Sequence, residues 1–509
     1  MRIGVRAVAM WLLAFPLSLS AQRAPFTGLD DYITRAIKAW EVPGLGLAIV
    51  RNDSVVHARG YGVRRLGDTS SVTDQTLFAI GSSSKAFTAA LVAMLVDEGK
   101  LAWDDKVADR LPGFQMFDPY VTRELTLRDA LSHRSGLSRG DRLWFANDFD
   151  REEILRRVRH IEPTWSLRST FGYQNLMYLA SGQVVARAAG KSWDQLIQER
   201  LFAPLGMTRS STSITRLAGV TDVSTPHARL EGRVEAIPWR NIDNIAPAGS
   251  INSTARDMAQ WVRLQLGRGT FGGAALIRPA SMREMHSPNT VIRGSARQDS
   301  LYPETHLRAY ALGWFLEDYR GRLVVHHGGN IDGMSALVLM VPEERFGMVI
   351  LTNMNGSGLP AALARRIVDQ HLGGPVRDWG AHLLAAQEAQ RAAQATQSAQ
   401  PPGAGGRGAV RVSGTKPSLA TDRYAGTFES ELYGTIEVRH ASGTLSVNGL
   451  GLDGPIEHWH FDTFRTTPAD RMVGRPMIVF SLDAQGRIAR LTIDGLGDFP
   501  RRNAGRGGA

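Results

Sequence analysis

The chain has 509 residues, 43% of them hydrophobic and 21% charged, enough for two or three globular domains. It contains no cysteine, which excludes disulfides, thiol catalysis and cysteine-ligated metals. The formal charge of +10 comes from arginines scattered along the chain, which points to a solvated basic surface and not to a nucleic-acid partner.

Residues 1–21 read as a secretory signal. Arg2 and Arg6 form a charged start, Val8 to Leu19 an apolar run, and Ser18-Leu19-Ser20-Ala21 a small-residue cleavage site. The run is short and interrupted by Pro16, and no later segment is long and apolar enough to span a bilayer. The expectation is an exported protein, periplasmic or secreted, with no stable membrane span after signal removal. Residues 22–375 follow as one α+β domain. Leu29, Ile33, Ile37 and Trp40 share a helical face that ends at Pro43-Gly44; Leu45 to Val50 and Ser54 to His57 then form a hairpin about Asn52-Asp53.

The stretch from Phe78 to Phe87 carries the first chemical signal. An apolar entry and Gly81 lead into a helix that starts at Ser82-Ser83-Ser84 and runs through Phe87, Leu91, Met94 and Leu95 to a stop at Gly99. Ser82 and Lys85 are three apart, on one face of the first turn, over the positive end of the helix dipole. Only six of the 59 basic residues are lysine; elsewhere the chain uses arginine, which cannot give up its proton. Lys85, at the head of an apolar helix, is therefore a candidate for a desolvated neutral base beside a serine nucleophile. The competing reading is an ordinary serine helix cap. A second Ser-x-x-Lys, Ser413 to Lys416, lies in Gly/Pro-rich sequence without a helix and is treated as chance.

Residues 101–240 are mostly helical in pattern: Leu125 to Leu131 with Gly136 as a C-terminal glycine, Glu152 to His160, Leu176 to Ala189, and Trp193 to Leu201. A capped helix follows at Met258 to Leu266. Leu323 to His326, Ala336 to Val341 and Met348 to Asn353 read as strands, with turns at Gly328-Gly329 and Asp332-Gly333, and Leu363 to Leu372 as a closing helix. Strands before and after a helical middle, in hairpins, argue α+β and not alternating βαβ. Residues 376–420 have linker composition, Ala/Gln-rich and then Pro401 to Gly406. Residues 421–500 read as a small all-β domain and 501–509 as a disordered tail. His458 and His460 in that domain would make a metal pair only with a third ligand, which the sequence does not offer.

Two more pieces complete a constellation. Tyr173-Gln174-Asn175 precedes an apolar helix, and His326-His327-Gly328-Gly329 ends a strand with bare backbone at its edge. With Ser82-x-x-Lys85, and with Leu125 to Arg128, Leu131 to Leu137 and Ala246 to Gly249, they resemble in content and order the penicillin-recognising serine hydrolases. These are class C β-lactamases, D-alanyl-D-alanine carboxypeptidases and related esterases and D-amino-acid peptidases. The resemblance runs from about Phe26 to His371, and the trailing all-β domain is similar to a lipocalin-like module found on some of these enzymes.

The resemblance implies a β-lactamase/transpeptidase-like fold: an antiparallel sheet flanked by helices, plus a mostly helical subdomain. It makes Ser82 the acylated nucleophile of an exported hydrolase of esters, amides or D-amino-acid and peptidoglycan-type peptides. Lys85 and Tyr173 share its activation, either being the base, with the Tyr173 pKa lowered by a charged Lys85. Asn175 binds the substrate amide, His327 and Gly329 line the substrate strand, and the backbone N–H groups of Ser82 and Asn330 form the oxyanion hole. No metal and no cofactor is called for. His327 stands where the family has lysine, His326 being the alternative frame. A neutral imidazole holds a carboxylate less firmly than an ammonium, which favours esters and peptides over efficient β-lactam turnover. The partner is a small-molecule or peptide substrate, with a cell-wall polymer as a further one. The alternative is a catalytically inactive relative that binds cell-wall peptides or glycans; the intact Ser/Lys/Tyr/Asn set argues against it. The all-β domain is expected to cover or flank the cleft.

Overall fold

The computed structural model describes residues 26–399 and 411–502. The proposed signal (residues 1–21), the Pro401 to Gly406 run and the end of the tail lie outside the described residues.

Strand β1 (Gly44–Arg51) shows how the layers arise. Leu45, Leu47 and Ile49 enter one core cluster, Ala48 and Val50 the other, because successive side chains leave a strand on opposite faces. A strand apolar on both faces must lie between two layers, and β1 does. It belongs to an eight-stranded antiparallel sheet with β2 (Ser54–Gly62), β3 (Thr290–Val291), β4 (Arg308–Tyr310), β5 (Phe315–Tyr319), β6 (Arg322–Ile331), β7 (Met334–Val341) and β8 (Phe346–Thr352), in the order β2-β1-β8-β7-β6-β5-β4-β3. Helices α1 (Leu29–Ala39), α5 (Leu359–Leu372) and α6 (Trp379–Ala399) cover one face. On the other lie α2 (Lys85–Asp97), α3 (Asn175–Ala189) and α4 (Ala255–Leu266) with the helical subdomain. Every residue of α2 from Lys85 to Leu95 is buried, as befits a helix apolar all round at the centre of a domain.

The expected α+β class is present, with differences in detail. Gly328-Gly329 is not a turn but the continuation of β6; the reversal is left to Asp332-Gly333, where Gly333 has φ +80°. Gly136 does not cap the helix that ends at Leu131; with φ +90° it lets the chain pass close to the Trp165 carbonyl. The stretch read as linker begins instead with α6, held on the sheet layer by buried Trp379 and Leu383. A sparse apolar spacing in Ala/Gln-rich sequence conceals a real helix with two anchors.

Residues 426–501 form an eight-stranded antiparallel, nearly closed barrel. Its strands are β9 (Gly426–Ser430), β10 (Gly434–Ala441), β11 (Thr444–Asn448), β12 (Gly454–His460), β13 (Thr463–Thr466), β14 (Met477–Leu482), β15 (Ile488–Ile493) and β16 (Gly497–Pro500), each beside its sequence neighbour. A bridge between Phe428 and Arg501 and the bond from Arg502 N to Thr427 O, 2.8 Å, bring the last strand to the first. Arg501 thus belongs to the barrel and not to a disordered tail. A register shift separates His458 from His460; His458 Nε2 meets the Phe461 carbonyl at 2.9 Å and His460 Nδ1 accepts from Val412 N at 3.4 Å.

Arg240 ties the barrel to the larger domain. Its guanidinium donates to Asp332, just past β6, and to Asp470 Oδ2 of the barrel at 2.6 Å, and lies 4.2 Å from the Phe145 ring centre. Burial pushes the Asp332 carboxyl up while the Arg240 charge holds it down. Arg240→Gln strands a buried carboxylate, so unfolding in denaturant is expected to show a loss of about 3–5 kcal/mol. A loss below about 0.5 kcal/mol would mark the seam as a loose surface contact.

Candidate active site

Ser82 sits in a single 3₁₀ turn, Gly81–Ser84, that precedes α2. Gly81 has φ +50°, and a Cβ there would fall 2.8 Å from the Asn330 nitrogen, so only glycine fits. The three serines divide the work. Ser83 Oγ donates to the His327 carbonyl at 3.1 Å, binding the turn to β6. Ser84 Oγ donates to Gly81 O at 2.8 Å and accepts from Ile251 N at 3.1 Å. Ser84 does not cap α2 through its side chain. Ser82 is left half-buried, with its hydroxyl beside Lys85.

Lys85 is fully buried. Its Nζ lies 3.0 Å from Ser82 Oγ, 2.7 Å from Asn175 Oδ1 and 2.8 Å from Ala248 O. Burial, then the nearby Arg139 charge, drive its pKa well below the ordinary lysine value, and Asp141 opposes them. A neutral amine has two N–H donors and one lone pair. Two of the three neighbours, the amide oxygen and the carbonyl, can only accept; the lone pair remains for the Ser82 hydroxyl.

Tyr173 stands in the loop before α3 and is hydrogen-bonded to the Ser82 side chain. Lys85 Nζ is 4.9 Å from its ring centre and the exposed Arg139 guanidinium 5.1 Å. Burial pushes the phenol above the usual tyrosine range, and the bond from Ser82 offsets this only in part. The expected lowering is therefore reversed: with Lys85 neutral, no adjacent ammonium favours a phenolate. Asn175 opens α3 and is already engaged. Its Oδ1 accepts from Lys85 and its Nδ2 donates to Asp141 Oδ1 at 2.8 Å; Asp141 also accepts from Trp144 Nε1 at 2.9 Å and from Arg139 Nε at 2.5 Å.

β6 runs beside the Ser82 turn, its pairing with β5 ending at His326–Phe315. A Cβ on Gly329 would lie 1.8 Å from Ile80 O and 3.1 Å from Ser82 N, which fixes how close the two backbones are. His327 is on this face and His326 on the other, stacked on Phe315 and 3.6 Å from Glu317. His327 is 1% exposed. Its Nδ1–H donates to Gly328 O at 2.6 Å, since a carbonyl only accepts, and Nε2 takes the Tyr310 hydroxyl proton at 2.9 Å. Burial holds its pKa down to about 3. Both nitrogens of His327 face protein groups, so the ring is a neutral part of the wall.

Sequence reading missed Asp141, Arg139 and Tyr310 here, and placed His133 in a matching stretch without giving it a role. His133 is buried at φ +58°, against the rings of Tyr173 (4.3 Å) and Tyr310 (4.6 Å), and its Nδ1 accepts from Gln174 N at 3.0 Å. Asp141, Tyr310 and His133 meet Asn175, His327 and Gln174 from far off in sequence, and spacing gives no signal for such pairs.

A serine, a buried amine and a phenol around one hydroxyl, beside an antiparallel sheet strand, define the class of the protein: the serine hydrolases of β-lactamase fold. Residues 29–372 match the family model described as Beta-lactamase, and the chain belongs to that family, whose members are serine hydrolases. Residues 410–502 match the model described as Domain of unknown function (DUF3471). Unguisins hydrolase ungD' of Aspergillus campestris is 29% identical over 67% of this chain and 64% of its own length. Unguisins hydrolase ungD of Aspergillus violaceofuscus is 27% identical over 89% of this chain and 85% of its own. The octameric penicillin-binding protein homologue from Pyrococcus abyssi superposes with a TM-score of 0.62 at 19% identity, over 92% of this chain and 98% of that one, a likeness of fold. Among the described residues no helix is long and apolar enough to cross a membrane.

Proposed function

We propose that the protein is an exported serine hydrolase that works through an acyl-enzyme on Ser82 and cleaves ester or amide bonds, peptides with D-amino acids among them. The observation that carries this is the buried Lys85 Nζ, 3.0 Å from Ser82 Oγ, with its two N–H bonds directed to acceptors.

In the mechanism, neutral Lys85 takes the Ser82 proton as Oγ attacks the substrate carbonyl. Tyr173, kept protonated by burial, donates to the leaving group as it departs and recovers a proton from the Lys85 ammonium; water, giving its proton to Lys85, then attacks the acyl carbonyl, and Ser82 Oγ leaves with a proton and is restored. An amine pushed down and a phenol pushed up make a base and an acid of the two neighbours. The N–H groups of Ser82 and Asn330 receive the oxyanion. Asn175 holds Lys85 through Oδ1, and its second Nδ2 N–H is the donor assigned to a substrate carbonyl. His327 offers no charge to a substrate carboxylate, which supports esters and internal amides over β-lactams.

Fluorophosphonate treatment followed by peptide mapping tests the reading. The adduct is expected on Ser82; an adduct elsewhere would refute the Ser82 assignment, and none, alongside saturable muropeptide binding, would favour a binding protein. The pH profile adds a second check. Lys85 works deprotonated, so kcat/KM rises with pH through its pKa, well below 10.5. Arg139→Gln removes a charge that lowers this pKa and shifts the acidic limb upward. Asp141→Asn removes one that raises it and shifts the limb downward. Shifts in the same direction would refute Lys85 as the titrating base.

A further inference from the structure

The loop that carries Tyr173 lies against residues 132–137, and one residue of that segment grips it on both sides. His133 O accepts from Gly172 N at 2.8 Å, and His133 Nδ1 accepts from Gln174 N at 3.0 Å. These donors are the residues immediately before and after Tyr173. Between the two bonds the imidazole packs on the phenol ring, 4.3 Å from centre to centre. His133 reaches this place at φ +58°, a costly backbone conformation of the kind that clusters at functional sites. A Cβ on Gly172 would fall 2.5 Å from Leu137 O, so the two backbones meet closely there too.

The mechanism above uses His133 in no step, yet its bonding is specific. Nδ1 accepts from an amide only when it carries no proton, so the proton is on Nε2. Nε2 is buried with no hydrogen-bond partner among the described residues, and the ring sits among those of Tyr178, Tyr310 and Phe171. Burial, then the charge of Lys85, drives the His133 pKa well below the ordinary histidine value, which keeps Nδ1 an acceptor. We propose that His133 is the positioning residue of Tyr173: by receiving the N–H groups of Gly172 and Gln174 it holds the phenol hydroxyl where it meets Ser82 Oγ and the departing group. The proposal rests on the reading of Tyr173 as the proton donor to the leaving group.

Two esters of one acid, ethyl butyrate and p-nitrophenyl butyrate, test it. Ethoxide needs a proton to leave; p-nitrophenolate leaves without one. The measured quantity is kcat/KM, taken per Ser82 labelled by fluorophosphonate so that misfolded chains do not count. Tyr173→Phe first gives the split between the esters that loss of the phenol produces. His133→Phe keeps a ring against Tyr173, His133→Ala does not, and both take the acceptor from Gln174 N. Both are expected to lose about 10²-fold on the ethyl ester and less than about fivefold on the p-nitrophenyl ester. His133→Asn offers Oδ1 in place of Nδ1 and suits a positive φ, so it should hold the ethyl ester within about tenfold of wild type. Equal losses on the two esters in His133→Phe and His133→Ala, beside a split in Tyr173→Phe, overturn the proposal and leave the Tyr173 assignment standing. So does a loss in His133→Asn as deep as in His133→Ala. No split in Tyr173→Phe, or a wild type that cleaves the p-nitrophenyl ester alone, refutes Tyr173 as the acid, and the proposal falls with it.

Discussion

Replacing Lys85 with arginine is expected to slow fluorophosphonate labelling of Ser82 by about 10³-fold, within the range for loss of a positioned general base. The argument is about proton count and not about charge. Arginine fills the same space with donors only and cannot give up its proton, so nothing receives the Ser82 hydroxyl hydrogen. Lys85→Met removes the lone pair differently, leaving Asn175 Oδ1 and Ala248 O without donors, and should cost similar activity with added instability. Ser82→Ala sets the floor for both. Labelling rates of Lys85→Arg within about tenfold of wild type, in protein that melts normally, would mean that another group takes the proton.

What could be read from the sequence was local. The 3.6-residue spacing around Phe87 and Leu91, the apolar runs of β7 and β8 and the glycines at turns each act within a few residues, and the elements stand close to where these features put them. The paired Gly328-Gly329 misled for a physical reason. Glycine marks either a turn or a place where another backbone comes near, and here the approach of Ile80 and Ser82 demands it within a strand. The roles of His327 and Asn175 depended on partners that periodicity cannot reveal. Tyr310, seventeen residues before His327, occupies its Nε2, and Asp141, thirty-four before Asn175, takes its amide hydrogen. The sign of the Tyr173 shift turned on whether Lys85 is charged, and that is set by the depth of burial, a property of the packed core.

The second large effect is expected at Gly329. An added Cβ would sit 1.8 Å from the Ile80 carbonyl oxygen, a backbone atom that cannot swing away. Either β6 or the Ser82 turn must retreat, and with it the spacing between the Ser82 and Asn330 amides that would hold the oxyanion. Misplacing one such donor costs about 10²–10³ in kcat. Gly329→Ala is accordingly expected to lower kcat on a p-nitrophenyl ester by at least about 10²-fold. Gly328→Ala, one residue earlier, provides the comparison. Its Cβ would meet only the Ala336 carbonyl at 3.5 Å, ordinary contact on the face away from Ser82, and a strand position tolerates alanine. Its effect should stay within about twofold, since no donor moves. Two neighbouring glycines of one strand thus separate by about two orders of magnitude if the Ser82–β6 approach serves catalysis. Equal losses at both would reduce that approach to a packing requirement of the strand.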